Sequence, residues 1–191
     1  MSTLRQMWAG LRLLIVMTVI LGVAYPAVVW AVGQVAGAQA NGSLVTNANG
    51  QVVGSALIGQ SFDGPGWFQP RPSASDYSGT TSGGSNLAPA SAAQAKAVAA
   101  REAQLRADNP DATGPIPPDA LTASGSGLDP DISLAYAQWQ VPRVAKARGM
   151  SADALDAMID KAVDRAALGY IGQDGVNVVT LNLELADASA K

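Results

Sequence analysis

Between Leu13 and Val32 the chain carries twenty consecutive uncharged residues, eleven of them Leu, Ile or Val. As a helix this run is about 30 Å long, the depth of a bilayer's hydrocarbon core. At roughly 0.3–0.6 kcal/mol per Leu, Ile or Val, insertion is favoured by about 3–6 kcal/mol before Gly22 and Pro26 are set against it. Residues 13–32 therefore read as a membrane span. Trp8 and Trp30 lie 22 residues apart, about 33 Å along a helix, which places both indoles at the two interfaces. Pro26 cannot donate to the preceding turn, which predicts a kink packed against another helix.

Orientation follows from the flanks. Arg5 and Arg12 precede the span, and the next charge of either sign is Asp63. The positive-inside rule then puts residues 1–12 in the cytoplasm and everything after Val32 outside, as a single-pass protein. A second reading is a cleaved export signal, since Ala36-Gly-Ala38 and Ala38-Gln-Ala40 both have the small-x-small form of a cleavage site. The product would be a secreted extracytoplasmic binding protein. Signal cores of ~7–15 apolar residues are shorter than this run, which favours the permanent span.

Residues 33–191 suffice for one domain with a core. They keep ten of the twelve Lys and Arg, Arg5 and Arg12 lying earlier, against all 15 Asp and Glu, a net charge of about −5. That balance argues against nucleic acid as a partner. There is no cysteine, so no disulfide or thiolate chemistry, and no histidine. Without histidine the Ser-His-Asp and Cys-His arrangements and the usual zinc sites are excluded.

Residues 33–42 form a small, polar tether, and the domain follows at 43–191. Leu44-Val-Thr and Gln51-Val-Val flank Asn47-Ala-Asn-Gly50, a hairpin signal because Asn and Gly tolerate positive φ. Gly54–Gly59 continues as extended chain. Phe62, Trp67 and Phe68 among Pro65, Pro70 and Pro72 predict an ordered loop pinned by aromatic packing. Residues 73–89 are rich in Ser, Gly and Thr, yet read as ordered. Residues 91–108 read as a helix with Ser91 and Gln94 as a capping box, Val98 and Leu105 on one face, Glu102 paired to Arg106, and Pro110 as its stop. A second helix spans 133–148, with Leu134, Ala137, Val141, Val144 and Ala145 on one side, Pro142 bending it and Gly149 ending it. Ser151 caps a third, whose stripe is Leu155, Met158, Ile159, Ala162, Val163 and Ala166, with Asp153, Asp156, Asp160 and Asp164 facing water. The last segment alternates, Val179, Leu181, Leu183 and Leu185 against Thr180, Asn182 and Glu184, which predicts a half-buried antiparallel strand. The fold class is α+β, with helices packed on one face of a small sheet.

Two stretches echo each other, Ser82-Gly83-Gly84-Ser85-Asn86-Leu-Ala-Pro89 and Ser124-Gly125-Ser126-Gly127-Leu-Asp129-Pro130. Each is a Ser/Gly run followed by Leu-x-Pro and a helix, so N–H groups and hydroxyls gather as an anion would require. These residues, with Arg71 as a cationic partner, are the candidate ligand-binding set. Neither stretch ends in the Gly-Lys-Ser/Thr of a P-loop. The competing reading is that the glycines allow close packing and that Arg71 staples its loop to Asp129. Arg143 and Arg148 read as structural ion pairs. Asp129 and Asp131 flank Pro130 without the further oxygen ligands of a calcium loop, so no metal site is assigned. Ser126 lies between glycines but has no histidine to activate it, so no catalytic residue is assigned.

These residues resemble the C-subunit family of the Kdp potassium-transporting P-type ATPase of bacteria. The resemblance covers nearly the whole chain. It rests on Gly54-Ser-Ala-Leu-Ile-Gly-Gln60, Phe68-Gln-Pro-Arg-Pro-Ser73, Ser82-Gly-Gly-Ser-Asn-Leu87, Ala123-Ser-Gly-Ser-Gly-Leu-Asp-Pro130, Gln140-Val-Pro-Arg-Val-Ala145 with Arg148-Gly149, Val176-Asn-Val178 and Leu181-Asn-Leu183. Asp131 stands where that family usually has His, Ala88 where Gly is common and Trp67 where Tyr is common. The resemblance implies a non-catalytic accessory subunit in the bacterial inner membrane. Its implied partners are membrane lipid, a channel-like potassium-translocating subunit, a P-type ATPase catalytic subunit and a very small hydrophobic subunit. It further implies roles in assembly and as a catalytic chaperone that raises ATP affinity. ATP then enters through the complex, and potassium is the transported ion. With the body outside, its Ser/Gly loops do not reach cytoplasmic ATP, so an effect on nucleotide passes through the membrane subunits as a coupling free energy. The role that fits this topology is an outer cap over the potassium entrance.

Overall fold

The structure, a computed structural model, describes residues 2–189. The chain divides into two units, residues 1–43 and 44–191.

The first unit is helical: α1 (Ser2–Val19), a π-turn (Ile20–Ala24) and α2 (Tyr25–Ala36). Together they give an apolar helical run, Thr3–Ala36, of 34 residues, about 50 Å long. It begins ten residues before the expected span and ends four after it, and its most apolar window is wholly unburied within the chain. The π-turn has a local cause in Pro26. Proline at position 26 lacks an N–H and crowds the carbonyl four residues back, at Gly22. Widening the turn relieves that crowding, and the Tyr25 N–H donates to the Ile20 carbonyl, five residues back. Beyond α2 the chain turns through Gly37 (φ +55°), closed by Asn41 Nδ2 on the Gly37 carbonyl at 2.9 Å and the Ser43 N–H on Ala38 at 2.8 Å.

The second unit opens with the hairpin β1 (Leu44–Thr46) and β2 (Val52–Ser55). Asn47 Oδ1 accepts from the N–H groups of Asn49 and Gln51, both at 3.0 Å, and Gly50 takes φ +76°. The chain does not stay extended to Gly59; it turns directly after Ser55, where Ser55 Oγ accepts from the Leu57 N–H. Then come α3 (Ala92–Asp108), α4 (Pro118–Leu121), β3 (Asp131–Ile132), α5 (Leu134–Arg148), α6 (Ala152–Ala162), β4 (Val163–Asp164), β5 (Gly175–Asn177) and α7 (Val178–Ser189). The second sheet is antiparallel with β5 in the middle, ordered β3-β5-β4. Ser91, Ser133 and Ser151 each accept from the N–H three residues on, capping α3, α5 and α6. Gly149 ends α5 at φ +66°, a left-handed conformation that suits a residue without Cβ.

The core packs α5, α6 and α7 around β5, with Tyr136, Val144, Leu155, Ile159, Val176, Leu181 and Leu185 buried beside Phe68. Phe68 is wholly buried although it belongs to no helix or strand. The class is thus α+β.

Three local expectations are corrected. The final segment is a helix, α7, and not a strand. Val178, Val179, Leu181, Asn182 and Leu185 are the buried positions, with Val178, Leu181, Asn182 and Leu185 spaced three and four apart on one face, and Asn177 Oδ1 caps the helix by accepting from the Thr180 N–H at 3.1 Å. The alternation of Val179, Leu181, Leu183 and Leu185 is a coincidence of a leucine-rich helix. The stripe of α6 stops at Ala162, and Val163 passes into β4 to pair with Val176. Arg106 does not pair with Glu102; its Nη1 donates to the Gly114 carbonyl at 3.2 Å, tying the segment after α3 back to that helix.

Candidate functional site

The two Ser/Gly stretches lie against one another. The Gly83 N–H donates to the Ser126 carbonyl at 2.7 Å, and Ser82 Oγ donates to the same oxygen at 3.0 Å. Ser73 Oγ donates to the Gly127 carbonyl at 2.6 Å, and the Ser124 N–H donates to Pro72 at 3.0 Å. The glycines permit this approach. A Cβ on Gly84 would meet the Gly125 carbonyl at 3.0 Å, and one on Gly127, already at φ +69°, would meet Ser75 Oγ at 2.5 Å and the Gly83 carbonyl at 2.7 Å. Ser85 and Asn86 are exposed, Asn86 at φ +54°. The N–H groups of Gly83, Ser124, Gly127 and Leu128 are all bonded within this clasp or to Pro72. The arrangement is a backbone-to-backbone seam that orders residues 73–89.

Arg71 sits beside the seam. Its Nη1 meets Asp129 Oδ2 at 2.9 Å, its carbonyl accepts from the Tyr77 hydroxyl at 2.7 Å, and its Nε is buried without a hydrogen-bond partner among the described residues. Burial, with Asp76 nearby, pushes the Tyr77 phenol up to about 12, against the pull of Arg101. Arg71 and Asp129 line a polar cleft of about 350 Å³ together with Asp119, Asp131, Asp164, Arg165 and Asp174. Burial raises the Asp131 carboxyl, and the charges of Asp129 and Asp164 raise it further, while a hydrogen bond with Asn177 opposes them. Among the described residues there is no group of acidic side chains with metal-binding geometry.

A more deeply built feature lies outside the sequence-predicted set. The loop 65–69 has five consecutive backbone carbonyls, and each accepts from a side chain of α5 or α7. Arg143 Nη1 donates to Pro65 at 2.6 Å and to Trp67 at 2.8 Å, and Arg148 Nε donates to Gly66 at 2.7 Å. Asn182 Nδ2 donates to Phe68 at 2.9 Å, and Gln140 Nε2 donates to Gln69 at 3.1 Å. The two amides also accept, Asn182 Oδ1 from the Phe68 N–H and Gln140 Oε1 from the Gln69 N–H. The loop is thus paired as a strand would be, with side chains replacing the neighbouring strand. Arg148 lies over the Trp67 ring with its Cζ 4.0 Å from the ring centroid, and Phe62 stands 6.0 Å from Trp67. Arg143, expected in an ion pair, is buried among neutral oxygens; Asn109 Oδ1 and Gln140 Oε1 complete its shell at 2.7 and 2.6 Å. Burial draws its pKa down, against the pull of Tyr136 and Asp108. The sequence marked this loop as ordered and singled out Arg143 and Arg148, but not the pairing, which the buried amides of Gln140, Asn182 and Asn109 complete.

Comparison with known proteins agrees with the resemblance. The family described as KdpC, K+-transporting ATPase, c chain, matches residues 7–187. A potassium-transporting ATPase KdpC subunit of Kineococcus radiotolerans is 50% identical over 190 residues, covering 98% of this chain and 96% of its own. The subunit of the same name from Serratia proteamaculans is 50% identical over 190 residues, at 97% and 98% coverage. That of Caulobacter vibrioides is 51% identical over 171 residues, at 88% and 86%. The match takes in the apolar helix, the seam, the clamp and α7 together, and the chain belongs to the KdpC family, the c chain of the K+-transporting ATPase.

Proposed function

We propose that this chain is the single-span accessory subunit of an ATP-driven potassium import complex in a bacterial inner membrane, needed for assembly and not itself catalytic. The observation that carries this reading is the 34-residue apolar helix, unburied within the chain, at the head of a family match spanning residues 7–187. A helix that exposes its apolar side chains all round is suited to lipid and to other membrane helices. Arg5 and Arg12 before the apolar core support a cytoplasmic N-terminus with the α+β unit outside. There it serves as a cap on the channel-like subunit, its net charge of about −5 favouring cations near the entrance. An influence on the ATP affinity of the catalytic subunit then travels through the membrane partners. The internal bonding of the Ser/Gly seam is consistent with that indirect route.

The test is purification from membranes with the partner subunits co-expressed. Retention of Met1 to Val32 by mass, co-purification of the large subunits, and protection of the α+β unit from protease added on the cytoplasmic side are the expected results. Deletion of residues 1–32, or Pro26→Leu, should release the subunit far more than Ser126→Ala. A mature start near Asn41 with no co-purifying subunit would overturn the reading in favour of a secreted binding protein. Digestion of the body from the cytoplasmic side would overturn the cap.

A further inference from the structure

A cleft of about 480 Å³ opens between α3, α5 and the loop 62–72, bordering the seam at Pro72 and Tyr77 and sharing no residue with the polar cleft. Its walls are mostly apolar. Phe62, Pro65, Pro70, Pro72, Leu105 and Ala120 line it, and the three prolines offer no N–H. That volume and lining suit a small organic group held by a few polar contacts.

The polar groups at its base are unusual. Tyr136 is 2% exposed, yet its hydroxyl makes no hydrogen bond among the described residues, although it lines the cleft. Its oxygen is not sealed off as Arg71 Nε and Trp139 Nε1 are, so it stands open to the cleft as a free donor for a ligand that accepts from it. Beside it, Arg143 lines the same cleft as a buried cation with no carboxylate in ion-pair reach among the described residues. Its four hydrogen bonds all go to neutral oxygens, which leaves one of its five N–H groups over. Arg101 stands on the α3 side with only Nη1 engaged, on the Leu121 carbonyl at 3.0 Å. Two carboxylates also line the cleft. Both oxygens of Asp108 are held by Gln104 Nε2, at 2.9 and 3.0 Å, and Asp63 is exposed. They limit the favourable charge to a single negative one and disfavour a phosphate.

We propose that this cleft binds a monocarboxylate carried on an apolar, ring-sized body, with the Tyr136 hydroxyl and the Arg143 and Arg101 guanidiniums toward the carboxylate and Phe62, the prolines and Leu105 around the body. Such a group comes either as a free small acid or as an acidic side chain next to an apolar one in a segment of a partner protein. The inference does not depend on the proposed place of the chain in a pump.

The experiment uses the full chain in a neutral detergent with ligand-observed NMR titration. The probes are 3-phenylpropionate and its amide, and the peptides acetyl-Phe-Glu-amide and acetyl-Phe-Gln-amide. The acid form of at least one pair should bind about tenfold more tightly than its neutral isostere. Tyr136→Phe should weaken that acid about fivefold or more, leave the neutral form unchanged and leave thermal stability intact, because the hydroxyl holds nothing in the fold. Preference for the free acid identifies a small-molecule site, and preference for the peptide identifies a partner segment. Equal binding of acid and neutral forms, an acid affinity unmoved by Tyr136→Phe, or no binding of either acid up to about 10 mM would overturn the proposal.

Discussion

Asn182 on α7 grips Phe68 by both ends of one residue, accepting from its N–H and donating to its carbonyl, each at 2.9 Å across 114 positions of sequence. One amide side chain thereby does for a loop residue what a neighbouring strand does for a sheet residue. Asn182→Ala leaves two buried backbone groups unpaired and should cost about 2–4 kcal/mol. Asn182→Asp should cost at least as much at neutral pH, because a carboxylate cannot donate to the Phe68 carbonyl. Urea unfolding of the full chain in detergent measures both.

Arg143 serves the same loop differently. Its flat five-donor head reaches Pro65, Trp67, Asn109 and Gln140 at once. Lysine keeps the charge but cannot span four acceptors in a plane. Arg143→Lys should therefore cost about 2–3 kcal/mol and Arg143→Met about 3–5 kcal/mol. Hydrogen exchange should show the earliest opening at residues 65–69, ahead of α6.

The glycines of the seam differ sharply in what they tolerate. Gly127→Ala puts a Cβ into Ser75 and the Gly83 carbonyl at a positive φ, and should cost about 2–4 kcal/mol. Gly125 has open space where its Cβ would stand, so Gly125→Ala should change stability by less than about 0.5 kcal/mol. Thermal melts of the two variants, side by side, separate close packing from a general intolerance of the loop.

Asp131 gives the polar cleft a pH dependence. Its folded pKa lies above the ordinary 3.8, raised by burial and by Asp129 and Asp164. The folded state then holds this proton more tightly than the unfolded chain, so the ionised group opposes folding at neutral pH, and the opposition fades as pH falls through the raised value. Asp131→Asn should be more stable than the parent at pH 7, with the gain vanishing toward pH 3.5. A constant gain across that range would refute the linkage.

Much of the fold was legible because local chemistry dictates it. Serines 91, 133 and 151 announce three helix starts, Asn47 and Gly50 announce the hairpin, and Arg71 and Asp129 form the expected staple. Two features were not legible. The strict alternation from Val179 to Leu185 fits a strand as well as a helix over so short a window, and only the cap at Asn177 and the burial of Asn182 decide between them. The clamp joins residues 71 and 114 apart through side-chain amides, and nothing in local periodicity records such a pairing.

The widened turn at Ile20–Ala24 has a geometric consequence for the proposed membrane helix. An ordinary helical wheel puts Trp8 and Trp30 about 40° apart, on nearly the same side. One extra residue in the turn rotates everything after it by about 100°, so the second indole falls about 60° to the other side. Lipid-facing and protein-facing stripes drawn straight through Pro26 are therefore out of phase. Cross-linking positions chosen on α1 need a one-residue offset to stay on the same face of α2.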